Sequence, residues 1–463
     1  MTNANAPATP RYGWYVTAVL MVAYTFSFLD RQILNLMVGP IKADLAITDT
    51  QFAMLTGGAF GIFYTVMALP IGWLADRVSR KKLIAGGIAL WSLMTMLCGT
   101  ARTFPALLFT RIGVGVGEAT LSPSAYSMLS DSFDRSRLPR AMSLYAIGIY
   151  IGAGTAMMLG GSIVEAIHRT PDVVLPILGA TRSWHLVFLV VGAPGLLVSL
   201  WMLTLREPAR RHSASEEQHS SNRSAPAAIW ALLRRYPLMA TSLFLGSAVL
   251  SVLSSMDAWY PELFIRKLGW DAAQTGHVNG VTSLTAGPLG MLAAGWLSSR
   301  MIARGRSDAC LRLTAWSAAL ATVPAIVMPL LPNGFAMGLM LLPLKFLGGF
   351  TPVLIPAAIQ IVAPDRLRGQ LGALFLFTTG VVGVTLGPVL PALINDFVLH
   401  DEHALGLSLS VSALAVGPLA VLLLSIGLKE YRSRLAQVSG DDAPRASAVS
   451  GTADASLPLA QTI

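Results

Sequence analysis

Four ionisable residues stand where hydrocarbon-compatible sequence is expected. Asp30 and Arg31 interrupt the apolar run from Gly13 to Val38, and Arg111 and Glu118 interrupt a later one, in "RIGVGVGEATLSPS". A charged side chain at a bilayer centre costs about 2.5–3.5 kcal/mol even on insertion scales, so such groups face a protein interior or a wet cavity. Arg111 and Glu118 are seven residues apart and share one helical stripe. Asp30 and Arg31 are sequence neighbours, about 100° apart around a helix, and cannot simply neutralise each other. Each must reach another helix, and Glu118 and Arg111 offer the opposite charges from an antiparallel span. The four sum to zero charge when ionised, the cheapest way to keep them buried. Protonating one carboxylate unbalances the set. Two chemistries fit: an exchange of ion pairs that couples proton movement to a conformational switch, or a static structural salt bridge.

The elements that must position these residues are membrane helices. The chain has 463 residues, 54% hydrophobic and only 12% charged, which no soluble globular chain of this size matches. A spanning helix needs about 20 mostly apolar residues. Twelve such runs are centred on 14–37, 52–75, 83–101, 105–130, 139–165, 184–205, 238–263, 275–299, 309–331, 335–361, 368–394 and 404–428. The opening run is too long and too weakly basic at its front for a cleaved signal peptide and reads as the first span. The expected fold is all-α and integral to the membrane, with twelve helices as two pseudo-symmetric six-helix bundles. Residues 1–12 form a disordered tail, 13–206 the first bundle, 207–236 a linker, 237–430 the second bundle and 431–463 a second disordered tail.

The net charge of +9 suggests nucleic acid until it is sorted by loop. With both termini cytoplasmic, 24 of the 33 Lys and Arg lie on that side, 6 lie outside, and Arg31, Arg111 and Lys345 lie within spans. That asymmetry is the positive-inside rule, and it explains the basic balance without an acidic partner. The expected location is the plasma membrane, the inner membrane in a bacterium, with membrane lipids around a monomer. Cys98 and Cys310 sit in separate spans, so no disulfide framework is expected, and no histidine has zinc-ligand spacing. A nucleotide loop, a nucleophile elbow and a metal cluster are all missing from the sequence, so neither an enzyme nor a cofactor is expected.

Between the sixth and seventh runs, "REPARRHSASEEQHSSNRSAPAA" has the composition of a flexible linker. Just after it, "AIWALLRRY" places Ile229, Leu232 and Leu233 near one helical face beside Arg234 and Arg235, as in an interfacial helix. The halves also repeat one another. "GWLADRVSRKK" begins at Gly72 and "GWLSSRMIARGR" at Gly295, each at the cytoplasmic end of the second span of its half. Such duplication is how many secondary transporters are built, with the site near the midplane between repeats.

The first copy resembles the loop signature of the major facilitator superfamily, in Gly72, Asp76, Arg77, Arg80 and the following lysine pair. With twelve spans split six and six, the resemblance covers essentially the whole chain. It implies alternating access through a central cavity. It also implies a cytoplasmic gate formed by those residues with Asp131 at the end of the fourth span as a third member of an ion-pair latch. Gly72 is expected to let helices approach closely. The second copy has Ser299 where the first has Asp76, so its latch lacks that acid and the two gates should differ in strength.

"LDR" in the first span together with "RIGVGVGEA" in the fourth resembles the Spinster branch, transporters of lysolipids and sphingosine phosphate. That resemblance implies proton-linked roles for Asp30 and Glu118, and a coupling or headgroup-contacting role for Arg31. Organic anion:proton symporters of the same superfamily also carry an Asp-Arg pair in span one. The glycine-rich fifth span, "AIGIYIGAGTAMMLGG", resembles an exporter signature but lacks its proline; tight packing explains Gly148, Gly152, Gly154, Gly160 and Gly161 equally. Lys345 lies about 15 Å from the outer end of the tenth span, too deep to snorkel. It faces the cavity, to hold an anionic substrate group or to lean on a polar neighbour. Asp257 and Glu262 read as gate or surface groups. The expected function is proton-coupled transport of a lysolipid-like amphiphile, with Asp30 and Glu118 taking the proton and Arg31, Arg111 and Lys345 forming the charge network and headgroup site. An organic anion symporter and a multidrug exporter are the rivals.

Overall fold

A computed structural model describes residues 10–75, 77–133, 138–168, 173–175, 179–208, 225–364 and 367–437. The first half runs from span one (Pro10–Ile33) through span six (Ser183–Thr204). Between them lie span two, ending in Ala59–Ala75, span three (Arg80–Cys98), span four (Phe104–Glu118 and Leu121–Ser132) and span five (Leu138–His168). The second half starts at Pro237–Ala240, and span seven ends as Tyr260–Leu268. Span eight (Ala272–Ala303), span nine (Ala309–Val327), the two parts of span ten (Gly334–Gly348 and Thr351–Val362), span eleven from Arg368 and span twelve (Leu405–Ile426) complete it.

Ten of these helices are long and apolar enough to cross a membrane on composition alone. Span four falls short because its helix is broken into two pieces, and span eight because it is rich in polar and small residues. Span four carries Arg111 and Glu118, both buried, and breaks at Ala119 and Thr120. In span eight the buried residues Thr275, Asn279, Ser283, Ala286, Gly290 and Ala294 recur every three or four positions, one helical stripe of small side chains. Gly290 of that stripe packs on Phe346 of span ten, and the helix meets span five where a Cβ on Gly161 would lie 2.3 Å from the Ala272 carbonyl and one on Gly276 only 2.1 Å from that of Met157. The glycines of span five are thus packing residues on two faces, since a Cβ on Gly152 would come within 2.5 Å of the Thr25 carbonyl in span one.

Two short strands, Val173–Leu175 and Gly179–Thr181, pair antiparallel between spans five and six, an addition to the all-helical expectation. At the other end of the chain, helix continues to Gln437, past the expected boundary at 430. The extension is held because Tyr431 is fully buried and Leu435 nearly so. The amphipathic segment of the linker is helical over Ala225–Arg235, with Ile229 and Leu232 against the core and Trp230 exposed beneath Arg234, 4.7 Å from guanidinium carbon to ring centre.

At the face carrying the termini, each half is fastened by a charged staple joining the head of its third helix to the segment after its sixth. In the first half Arg80, 1% exposed, donates to Glu207 through Nε at 3.1 Å and through its backbone N–H at 2.9 Å, and to the Pro208 carbonyl at 2.9 Å. Its Nη1 also meets Ser127 and Asp131, and Ser79 donates to Glu207. In the second half the polarity is reversed. Asp308, just before span nine, accepts from Arg312 at 2.8 Å and from Arg432, in the extension of span twelve, at 2.5 Å. Ser299, at the position matching Asp76, donates to the Gly295 carbonyl in its own helix, and Asp308 supplies a carboxylate at this end from the next one. Asp76 lies outside the described residues. Gly72 also differs from expectation, for a Cβ there or at the matching Gly295 would meet nothing within 4 Å.

Burial opposes ionisation of Glu207 and of Asp308, and in each the hydrogen bonds and charge of its partners outweigh burial and hold the carboxyl below its ordinary range. A depressed folded pKa contributes stability above the unfolded value of about 4, lost as pH falls through the lower folded value. Glu207→Gln and Asp308→Asn should therefore each lower the unfolding midpoint by about 2–4 °C at neutral pH. In a thermal-shift series the gap to the parent should shrink in acid; a gap independent of pH would assign the loss to packing instead.

Candidate functional site

Of the four mid-membrane charges, two close an ion pair inside the first half. Arg31 donates through Nε to Glu118 Oε2 at 2.5 Å, and Ser27, one turn earlier on the same face of span one, donates to that oxygen at 2.7 Å. Glu118 is 1% exposed and its Oε1 has no partner. The guanidinium of Arg31 lies between rings, 4.9 Å from Phe28, 4.8 Å from Phe60 and 4.6 Å from Tyr64, so aromatic faces replace part of its lost hydration.

The second cross-pair does not form. Asp30, 2% exposed, accepts from Thr95 Oγ1 at 3.2 Å, and its Oδ1 is unpartnered. Among the described residues no ion pair joins it to Arg111. Arg111 instead donates through Nε to the Leu55 carbonyl at 3.3 Å and lies 5.3 Å from the Phe60 ring centre. The reason is local backbone geometry. Span two begins as Asp49–Ala53 and continues in a wide π turn over Met54–Gly58, in which the Ala59 N–H bonds to Met54 O. Leu55 O loses that N–H, its ordinary α-helical partner, and is available to Arg111. Nothing in the spacing of Asp30, Arg31, Arg111 and Glu118 signals a main-chain acceptor.

Between the halves lies a cavity of about 300 Å³. Phe28, Gln32, Ile149 and Tyr150 line it from the first half, and spans seven to ten from the second. Its ion pair is Lys345 Nζ to Asp257 Oδ2 at 2.5 Å, with the two side chains 15% and 28% exposed. Lys345 thus leans on a carboxylate, and Asp257 is a cavity residue, not a surface one. Serines 254, 283 and 317 and Thr351 line the same cavity, while leucines 250, 253, 344 and 347 supply apolar wall. Arg31 stands outside the cavity lining, although its neighbours Phe28 and Gln32 belong to it. Among the described residues no group of three His, Cys, Asp or Glu is placed to hold a metal ion.

The halves meet at glycines in the π turns. A Cβ on Gly57 would lie 2.7 Å from Pro388 and from Val384 O in span eleven, and one on Gly380 only 2.4 Å from Thr65 in span two. Two six-helix halves, a repeated loop motif and a midplane cavity between them are the anatomy of one large transporter group, and residues 20–388 match the model of the Major Facilitator Superfamily. The chain belongs to that superfamily. It is a secondary transporter, integral to the membrane, and not an enzyme.

Among its relatives, an MFS-type efflux pump of Mycolicibacterium smegmatis is 27% identical over 431 residues, 91% of this chain and 94% of that one. Human protein spinster homolog 1 is 30% identical over 258 residues, 54% of this chain and 46% of the human protein. A crystal structure of a bacterial homolog of the human lysosomal transporter Spinster, inward-facing and unoccupied, superposes with a TM-score of 0.72 at 22% identity, covering 93% of this superfamily member and 98% of that chain. The human relative is similar over about half of this chain, and the solved structure shares its fold.

Removing one partner of a buried ion pair costs about 3–5 kcal/mol, because the other charge is stranded. Arg31→Met should therefore strongly destabilise the protein to denaturant, whereas Arg31→Met combined with Glu118→Gln should recover most of the loss. Additive losses in such a double-mutant cycle would show that the pair contributes no coupling.

Proposed function

We propose that this superfamily member moves an amphiphile with a charged head, of the lysolipid or sphingosine-phosphate kind, by proton-coupled alternating access. The observation that carries the proton is the pair of carboxyls buried in the first half, Asp30 and Glu118, each with one unpartnered oxygen. A buried carboxylate oxygen without a donor is costly, and a proton there removes the charge that holds Arg31. Arg31 then has its rings but no counter-ion, and the first half must repack. Asp30, Glu118, Arg31 and Arg111 serve as the proton-responsive set in this reading.

For the substrate, the cavity supports a head at the Lys345–Asp257 pair and a tail along leucines of the second half, since a lipid needs one polar end and an apolar wall. This moves the head from Arg31, expected from the sequence, toward Lys345, the cation that lines the cavity. The excess of basic residues in the loops on the termini side supports a reading with both termini in the cytoplasm and the protein in the inner membrane. The gate loop from Gly72 through Arg80 to Asp131 then faces the cytoplasm. A protein of this kind works as a monomer among lipids, with no nucleic acid or cofactor. The efflux pump of M. smegmatis, matched over nearly its whole length, supports the rival reading of an exporter.

Two measurements in proteoliposomes test the proposal. Glu118→Gln should abolish flux driven by a pH gradient while the protein stays folded, and undiminished pH-driven flux reduces Glu118 to a structural role. Lysophospholipid affinity should fall stepwise as the acyl chain is shortened, by at most about 0.8 kcal/mol per CH₂, and Lys345→Ala should weaken it further. Affinity independent of chain length, or equal competition by a tailless carboxylate, would replace the lipid by a small organic anion.

A further inference from the structure

A second buried charge cluster lies at the face away from the termini, and the sequence motifs do not point to it. Asp49, the first residue of span two, is fully buried. Its Oδ1 accepts from Lys42 Nζ at 2.5 Å and from Arg266 Nη2 at 2.8 Å; its Oδ2 accepts from Arg266 Nη1 at 2.8 Å and from Asn395 Nδ2 at 2.9 Å. Lys42 belongs to the first half with Asp49, whereas Arg266 ends span seven and Asn395 ends span eleven. One carboxylate thus binds both halves, with each oxygen saturated.

The surrounding bonds hold its partners in place. Glu262 grips Arg266 at 2.7 Å from one turn earlier on its own helix, and Ser408 donates to Asn395 at 3.0 Å. Two more bonds cross the seam: Asp396 accepts from the Thr50 N–H at 2.6 Å, and Glu402 meets Lys42 at 2.8 Å. Glu402 is 68% exposed, where an ion pair contributes little. The ion pairs between described residues of the two halves all lie at this face. At the opposite face, a Cβ on Gly72 or on Gly295 would meet nothing within 4 Å, and no ion pair between described residues joins the halves there.

We propose that Asp49 is the pin of the gate opposite the termini: its bonds hold that side shut, and the cavity opens there when they break. Neutralising Asp49 leaves Lys42 and Arg266 facing each other across the seam, each tied to its own half or to an exposed carboxylate. Their repulsion and their need for water then favour separation of the two ends. The gate rests only on alternating access, so it stands or falls independently of the lipid and proton assignments.

The test uses the full chain in detergent or nanodiscs, spin-labelled through cysteines at Ala43 and His403, both exposed and on opposite halves of this face. Asp49→Asn should shift the main label-to-label distance outward, and Asp49→Glu should restore much of the parent distribution. Asn395→Ala, which removes one of the four donors, should give a smaller outward shift and serves if Asp49→Asn does not fold. An unchanged distance distribution in a folded Asp49→Asn or Asn395→Ala protein overturns the proposal. So would an Asp49→Glu distribution as open as that of Asp49→Asn, since loss of charge would then not be the cause.

Discussion

The constraint on which this molecule depends is that charge removed from water must be compensated as a set. Hydrocarbon outside and packed helix inside leave each ionised group only its protein neighbours. The consequence is visible in every buried cluster. Arg31 is shared between Glu118 and aromatic faces, Lys345 is closed by Asp257, and Asp49 is saturated by two cations and an amide. Where compensation is incomplete, as at Oδ1 of Asp30 and Oε1 of Glu118, a buried oxygen without a donor carries a cost.

The same constraint explains how duplicated halves came to differ. Both fasten the head of their third helix to the segment after their sixth, but one uses a buried arginine between carboxylates and the other a buried aspartate between arginines. What the architecture requires at that point is a saturated charge, and either sign meets it. A motif search that expects the acid at Ser299 misses it, because the equivalent attraction is supplied from Asp308 on the next helix.

Motion between the halves needs surfaces that separate without tearing side chains apart. The seams supply this through glycine. Span two meets span eleven, and span five meets span eight, where glycines let backbone and side chains of the facing helix approach closely. The polar bonds between described residues of the halves are gathered at one face, so the two ends of the seam differ in what holds them: main-chain contact along it and a charge cluster at one end.

The sequence by itself determined the class of molecule. Apolar runs of spanning length, a loop charge bias and a repeated loop motif follow from membrane insertion and duplication, which act on segments and leave their mark on composition. It also marked Asp30, Arg31, Arg111, Glu118 and Lys345 as groups needing partners, because a charge inside an apolar run is conspicuous. Which partners they take was decided by the tertiary structure. Arg111 turns to the Leu55 carbonyl because a π turn shifts a hydrogen bond by one residue, Lys345 finds Asp257 three spans away, and Asp49 gathers donors from span seven and span eleven. Such choices depend on the rotation and crossing of helices far apart in the chain. Residue type and spacing fix neither, since a helix presents any given side chain to whichever neighbour its packing brings alongside.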